Sequence, residues 1–97
     1  MYLSIHNQLT LLHDLLHEQL TYGPDVSYDY KRMKKLIQTI IAHRQLDPDL
    51  LNILPEIYYF CLKGEHAQSF SLHIQDNKHN IQRWLHLINR SKLYRSS

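Results

Sequence analysis

Three histidines, His6, His13 and His17, lie on one stripe of a segment whose leucines repeat at helical spacing. At about 100° per residue, positions i, i+7 and i+11 of a helix share a narrow arc, and His13 and His17 at i, i+4 could present two imidazoles to one metal ion. Zinc takes three protein ligands and a water, or four, so a site needs a further donor, for which Asp14, His43, His66 and His73 are the candidates. Within His13-Asp14-Leu15-Leu16-His17, aspartate stands where the metalloprotease helix carries glutamate. That shorter acid is poor support for general-base catalysis. The plainer reading is the stronger one. Measured from Leu12, the three histidines lie roughly 100° to 140° around the helix, where a buried face gives way to solvent. Histidine suits that margin without a ligand, so no metal residue is assigned. If all three were half-buried there, protonation would destabilise the fold as pH falls through about 6.5, because desolvation lowers a buried imidazole's pKa.

The second constellation is Lys31-Arg32-Met33-Lys34-Lys35, preceded by Tyr28 and Tyr30, a mixture that phosphate and base contacts use. Cations at a helix start oppose its dipole by roughly 0.3 kcal/mol or more each, which points to some other use for them. Against this, the cations project in different directions, Asp25 and Asp29 can neutralise them, and the formal net charge is only +2. A solvated face is preferred. An acidic protein partner and nucleic acid, the latter held by Lys31, Arg32, Lys34 and Lys35, are the rival readings.

Other chemistry lacks parts. There is no glycine-rich phosphate loop and no nucleophile elbow, carboxylates are scattered, and Cys61 is the only cysteine. It sits in the most apolar segment and reads as a small core residue. The chain is therefore expected not to be an enzyme and to need no cofactor. Tyr58, Tyr59 and Phe60 cannot all enter one core, so at least one should lie on a surface suited to a protein partner or a homodimer.

The elements that must position these residues follow from periodicity and breakers. Ser4 can cap a first helix reaching Leu20 or Thr21, with Ile5, Leu9, Leu12, Leu16 and Leu20 on one face and Gly23-Pro24 ending it. Asp25 or Ser27 can cap a second helix to about Arg44, burying Tyr30, Met33, Ile37, Ile40 and Ile41. Asp47-Pro48 starts a third, with Leu51, Leu54, Tyr58 and Cys61 or Leu62 inward, a kink or split at Pro55, and a stop at Lys63-Gly64. The stripe Ala67, Phe70, Ile74, Asn77, Ile81, Trp84 and Ile88 predicts a long fourth helix, interrupted in polarity by Asn77. It begins as late as Ser69 or Ser71 and frays near Ser91 into a polar tail from about Lys92, and on its far side His79 and His86 face solvent. Short connections between amphipathic helices predict an all-α, antiparallel up-and-down four-helix bundle, one domain over 1–97.

Composition narrows the setting. The start Met1 to Ile5, followed at once by polar residues, has neither the basic opening nor the apolar run of a secretory signal. The longest apolar run, Ile57 to Leu62, falls well short of the roughly 20 residues that span a bilayer. With a lone cysteine, these features predict a cytoplasmic protein with no membrane attachment.

His6-Asn7-Gln8, Leu11-Leu12-His13-Asp14-Leu15-Leu16, Leu54-Pro55-Glu56-Ile57-Tyr58, Gly64 and His73-Ile74-Gln75 together resemble the YtzH-like family of small proteins from Bacillus and related bacteria. The resemblance covers nearly the whole chain. It implies a cytoplasmic protein of a spore-forming lineage and brings no catalytic or binding residue to carry over. Histidine phosphotransfer domains are similar in architecture alone: the His13 segment lacks the lysine and the small residue of their His-x-Leu-Lys-Gly/Ser motif. The expectation from sequence is thus a non-catalytic protein–protein interaction module, with metal binding through His13 and His17, aided by His6 or a second-helix ligand, and nucleic-acid binding as alternatives.

Overall fold

The computed structural model describes residues 4–22, 28–43 and 46–96. Helices α1 (Ile5–Tyr22), α2 (Tyr28–Ile41), α3 (Pro48–Glu65), α4 (Phe70–Asp76) and α5 (Lys78–Ser96) follow one another, with no strand among the described residues. None of the helices is long and apolar enough to cross a membrane.

Local signals account for most boundaries. Ser4 Oγ accepts the Asn7 amide at 3.1 Å and so caps α1. Asp47 accepts the Asp49 amide at 2.9 Å, with Pro48 in the first turn of α3, where no amide donor is needed. Ser69 accepts the Leu72 amide and caps α4. Asp25 and Ser27, the expected caps of α2, lie outside the described residues, as do Gly23, Pro24 and Arg44.

Four expectations are corrected. The fourth helix is two: Asn77 closes α4, its amide donating to Ile74 and its side chain to the His73 carbonyl at 2.9 Å, and its own carbonyl accepts from Ile81 to begin the next. An asparagine whose side chain competes for backbone partners makes the break that its place in the apolar stripe hinted at. Pro55 does not split α3, which runs unbroken from Pro48 to Glu65. Gly64 does not stop α3 either; it is buried inside the helix, and the cap is His66. α5 also continues past Ser91 to Ser96, because Ser91 is buried and donates to Asp47 Oδ2 at 3.0 Å rather than fraying.

The core joins Leu9, Leu12, Leu15 and Leu16 of α1 to Tyr30, Met33, Ile37 and Ile40 of α2, the inner face of α3, and Ile74, Ile81, Trp84 and Ile88. α1 packs on α2 and α5, α3 packs on α2 and α5, and α4 leans on α5. Each long helix therefore has two long neighbours. Gln8 and Gln19 are buried within the leucine face of α1, and neither polar atom of the Gln19 side chain meets a partner among the described residues.

Candidate functional site

The histidine stripe marks a boundary. His6 and His17 are exposed and His13 is half-buried, while Leu12 and Leu16 beside them are fully buried. The His13 and His17 rings are parallel within 5°, with centroids 6.2 Å apart, and Asp14 Oδ1 accepts from His13 Nδ1 at 3.3 Å. Among the described residues no three of His, Cys, Asp and Glu converge as a metal would require. The premise of a pH-sensitive seam fails for His6 and His17, which water already reaches. Of the other candidates, His43 is half-buried and His66 exposed, whereas His73 is committed to packing, as are neither His79 nor His86, both exposed.

The basic cluster is divided among helix faces. Lys34 pairs with Glu65 across the seam of α2 and α3, and Arg32 lies 4.0 Å from Asp29 on its own helix. Lys31 and Lys35 are exposed, one turn apart, on the side opposite the buried face. Lys34 is thereby set apart from Lys31, Arg32 and Lys35, which share the outer side of α2.

α3 carries three different faces. Its buried side is Leu50, Ile53, Leu54, Ile57, Phe60, Cys61 and Gly64. The expected inward residues Leu51 and Leu62 are instead 43% and 38% exposed, and Tyr59 is 58% exposed. With half-buried Tyr58 and exposed Pro55, they occupy roughly 100° of arc. Because α3 is apolar on more than one side, spacing alone left its rotation open by about one residue's turn.

The third face, with α4 and α5, lines a groove of about 610 Å³. That volume is within the small-molecule range of roughly 300–1,000 Å³, but its polar groups face one another. Glu56 Oε1 accepts from the Trp84 indole at 3.0 Å and from Arg83. The indole first, then Arg83, holds the Glu56 carboxyl below its ordinary range. His73 Nε2 donates to the Phe60 carbonyl at 2.9 Å, a direction set by the acceptor, and its ring stacks on Phe60 with centroids 4.6 Å apart. Phe60 also meets Tyr30 and Trp84 edge-on, and the Lys63 ammonium sits 5.0 Å from the Tyr59 ring centre. These contacts brace α3 against α4 and α5 and leave few groups aimed at a ligand. Sequence reasoning missed the Glu56 to Trp84 contact because the partners are 28 residues apart.

A smaller groove of about 270 Å³ lies between α1 and α2, lined by Leu11, Leu15, Leu36, Arg32, Lys35 and Thr39. Leu11 and Leu15 come from α1, and Leu36 and the cationic rim from α2.

Cys61 is fully buried, and burial, reinforced by the Glu65 carboxylate, pushes its thiol up to about 12, so no thiolate is present for catalysis at neutral pH. Nothing in the described geometry pairs a nucleophile with a base.

Comparison with known proteins gives a family model, described as YtzH-like protein, that matches residues 3–88. A curated relative, named uncharacterized protein YtzH, from Bacillus subtilis (strain 168), is 25% identical over 83 residues, which is 86% of this chain and 90% of the relative. No solved structure matches the chain.

Proposed function

Because the chain belongs to the YtzH-like family, whose Bacillus relative carries no activity in its name, we propose a function from the surface itself: a non-catalytic protein–protein interaction module of the cytoplasm. The observation that carries this reading is the arc of α3 in which Leu51, Tyr59 and Leu62 stand exposed. Large apolar side chains grouped on one helix face lose hydration cost only when something covers them. The two rivals have less support. A bis-histidine pair on which no third donor converges among the described residues is a weak metal site, and of the α2 cations Lys34 is already paired with Glu65 and Arg32 lies near Asp29.

The finer architecture we propose is the up-and-down four-helix bundle, acting as one domain, with α4 as a short preface to α5. Lys34 with Glu65 and Gln38 with Tyr58 join α2 to α3 in opposite chain directions, and Glu56 with Arg83 and Asp47 with Ser91 do so for α3 and α5.

The test is affinity capture from Bacillus subtilis extract with the wild-type chain and with a Leu51→Glu, Leu62→Glu double variant whose melting temperature is matched. The expected result is a protein retained by the wild type and lost with the variant, with light scattering on a sizing column reporting whether that protein is a second copy. Equal capture by both forms would overturn the α3 assignment.

A further inference from the structure

We propose that the groove between α1 and α2 is a second docking site, on a different face from the α3 arc, and that it receives an acidic amphipathic helix of a protein partner. The proposal belongs to the same interaction class but does not depend on the α3 arc.

The groove's floor is leucine: Leu15 is buried, and Leu11 and Leu36 are half-buried. Its rim is cationic, with Arg32 and Lys35 lining it and exposed Lys31 one turn before Lys35. At about 270 Å³ it is smaller than the roughly 300–1,000 Å³ of small-molecule pockets, and it suits side-chain knobs rather than a whole ligand. A helix laid along two helices supplies such knobs at i, i+3 and i+4.

The rim selects the sign. Lys34 is neutralised by Glu65 and Arg32 has Asp29 nearby, yet Lys31 and Lys35 are exposed, and among the described residues no ion pair joins either of them to an acid. A partner with carboxylates flanking its apolar stripe would complement this rim, and a basic partner would be repelled by it. The same charges could draw the protein to an anionic membrane, but the leucines are recessed between helices, where a flat bilayer does not reach and a projecting side chain does. Phosphate backbones would leave the leucine floor uncovered.

The experiment titrates the whole isotope-labelled protein with a synthetic helix carrying leucines at i, i+3, i+4 and i+7 between glutamates. A lysine-flanked isomer, a scrambled peptide of the same composition and phosphatidylglycerol vesicles serve as comparisons. The expected result is saturable amide shifts centred on Leu11, Leu15 and Leu36 with the acidic helix alone. A Lys31→Glu, Lys35→Glu variant, both positions being exposed, should weaken that binding about tenfold with an unchanged melting temperature. Thr39→Trp, which lays an indole over the floor, should abolish it. Shifts elsewhere, equal binding of the lysine-flanked or scrambled peptide, an unaffected charge-reversal variant, or binding to vesicles without binding to the helix would each overturn the proposal, while the capture test of the α3 arc would stand or fall separately.

Discussion

Gly64 of α3 lies directly against the Tyr30 ring of α2. A methyl group built on it would lie 2.5 Å from Tyr30 Cζ and 2.7 Å from both Cε atoms of the ring, contacts that side chains do not sustain. Helix propensity alone favours Gly64→Ala by about 1 kcal/mol, whereas overpacking a filled core costs about 1–3 kcal/mol. Packing should win, because Tyr30 is fully buried and wedged against Phe60, Phe70 and His73. Urea denaturation should show Gly64→Ala to be the less stable protein; a gain in stability would contradict the close approach. This role was invisible to local reasoning, since a glycine after a lysine at the end of an apolar run looks like a helix stop and its ring neighbour is 34 residues away in sequence. Cys61 was legible, its apolar neighbours announcing a core position. With the thiol near 12, iodoacetamide at about pH 8 should leave the native protein unlabelled and label it after unfolding. Rapid native labelling would mean that α3 is not packed as described.

At the scale of the elements, α3 ties the rest together, and Asp47 holds one end of it. One carboxylate oxygen caps the helix through the Asp49 amide and the other accepts from Ser91 of α5. Asp47→Ala should therefore cost about 1–2 kcal/mol, as a cap and a helix-to-helix contact are lost together, and Ser91→Ala less. Equal effects of the two in urea denaturation would separate the cap from this account. Farther along α3, Glu56 joins Trp84 and Arg83. A carboxyl depressed in the folded state adds stability above its ordinary value of 4.5 and loses it as pH falls through the lower folded value. The melting temperature should drop on acidification from about pH 5 to about pH 3, and drop less in Glu56→Gln; parallel slopes would contradict the contact. The Asp47-Pro48 start, the Ser4 and Ser69 caps and the stripe from Phe70 to Ile88 could be read from spacing, because capping and periodicity are local. The rotation of α3 could not, because Leu51 and Leu62 fit an inward stripe as well as Leu50 and Ile57 do, and only the neighbours α2 and α5 decide between them. Ile41, expected inward on α2, is likewise 43% exposed, at the end of its helix.

For the molecule as a whole, an all-helical fold was plain from four amphipathic stretches and breakers between them, and the candidate chemistry was legible only as residues, not as a site. His6, His13 and His17 share an arc yet line the edge of a buried face, and the basic run on α2 is divided by its own pairing partners. Among the described residues, the exposed large apolar side chains that share one helix face are Leu51, Tyr59 and Leu62 of the α3 arc. We propose that this arc is covered by another protein. The most direct measurement is photo-cross-linking in cells with a benzophenone side chain introduced in place of Tyr59, compared with the same group in place of Gln82, an exposed α5 residue away from the arc. A discrete, heavier adduct at position 59 and none at 82 is the predicted result. No adduct at 59, or the same adducts at both positions, would contradict the claim.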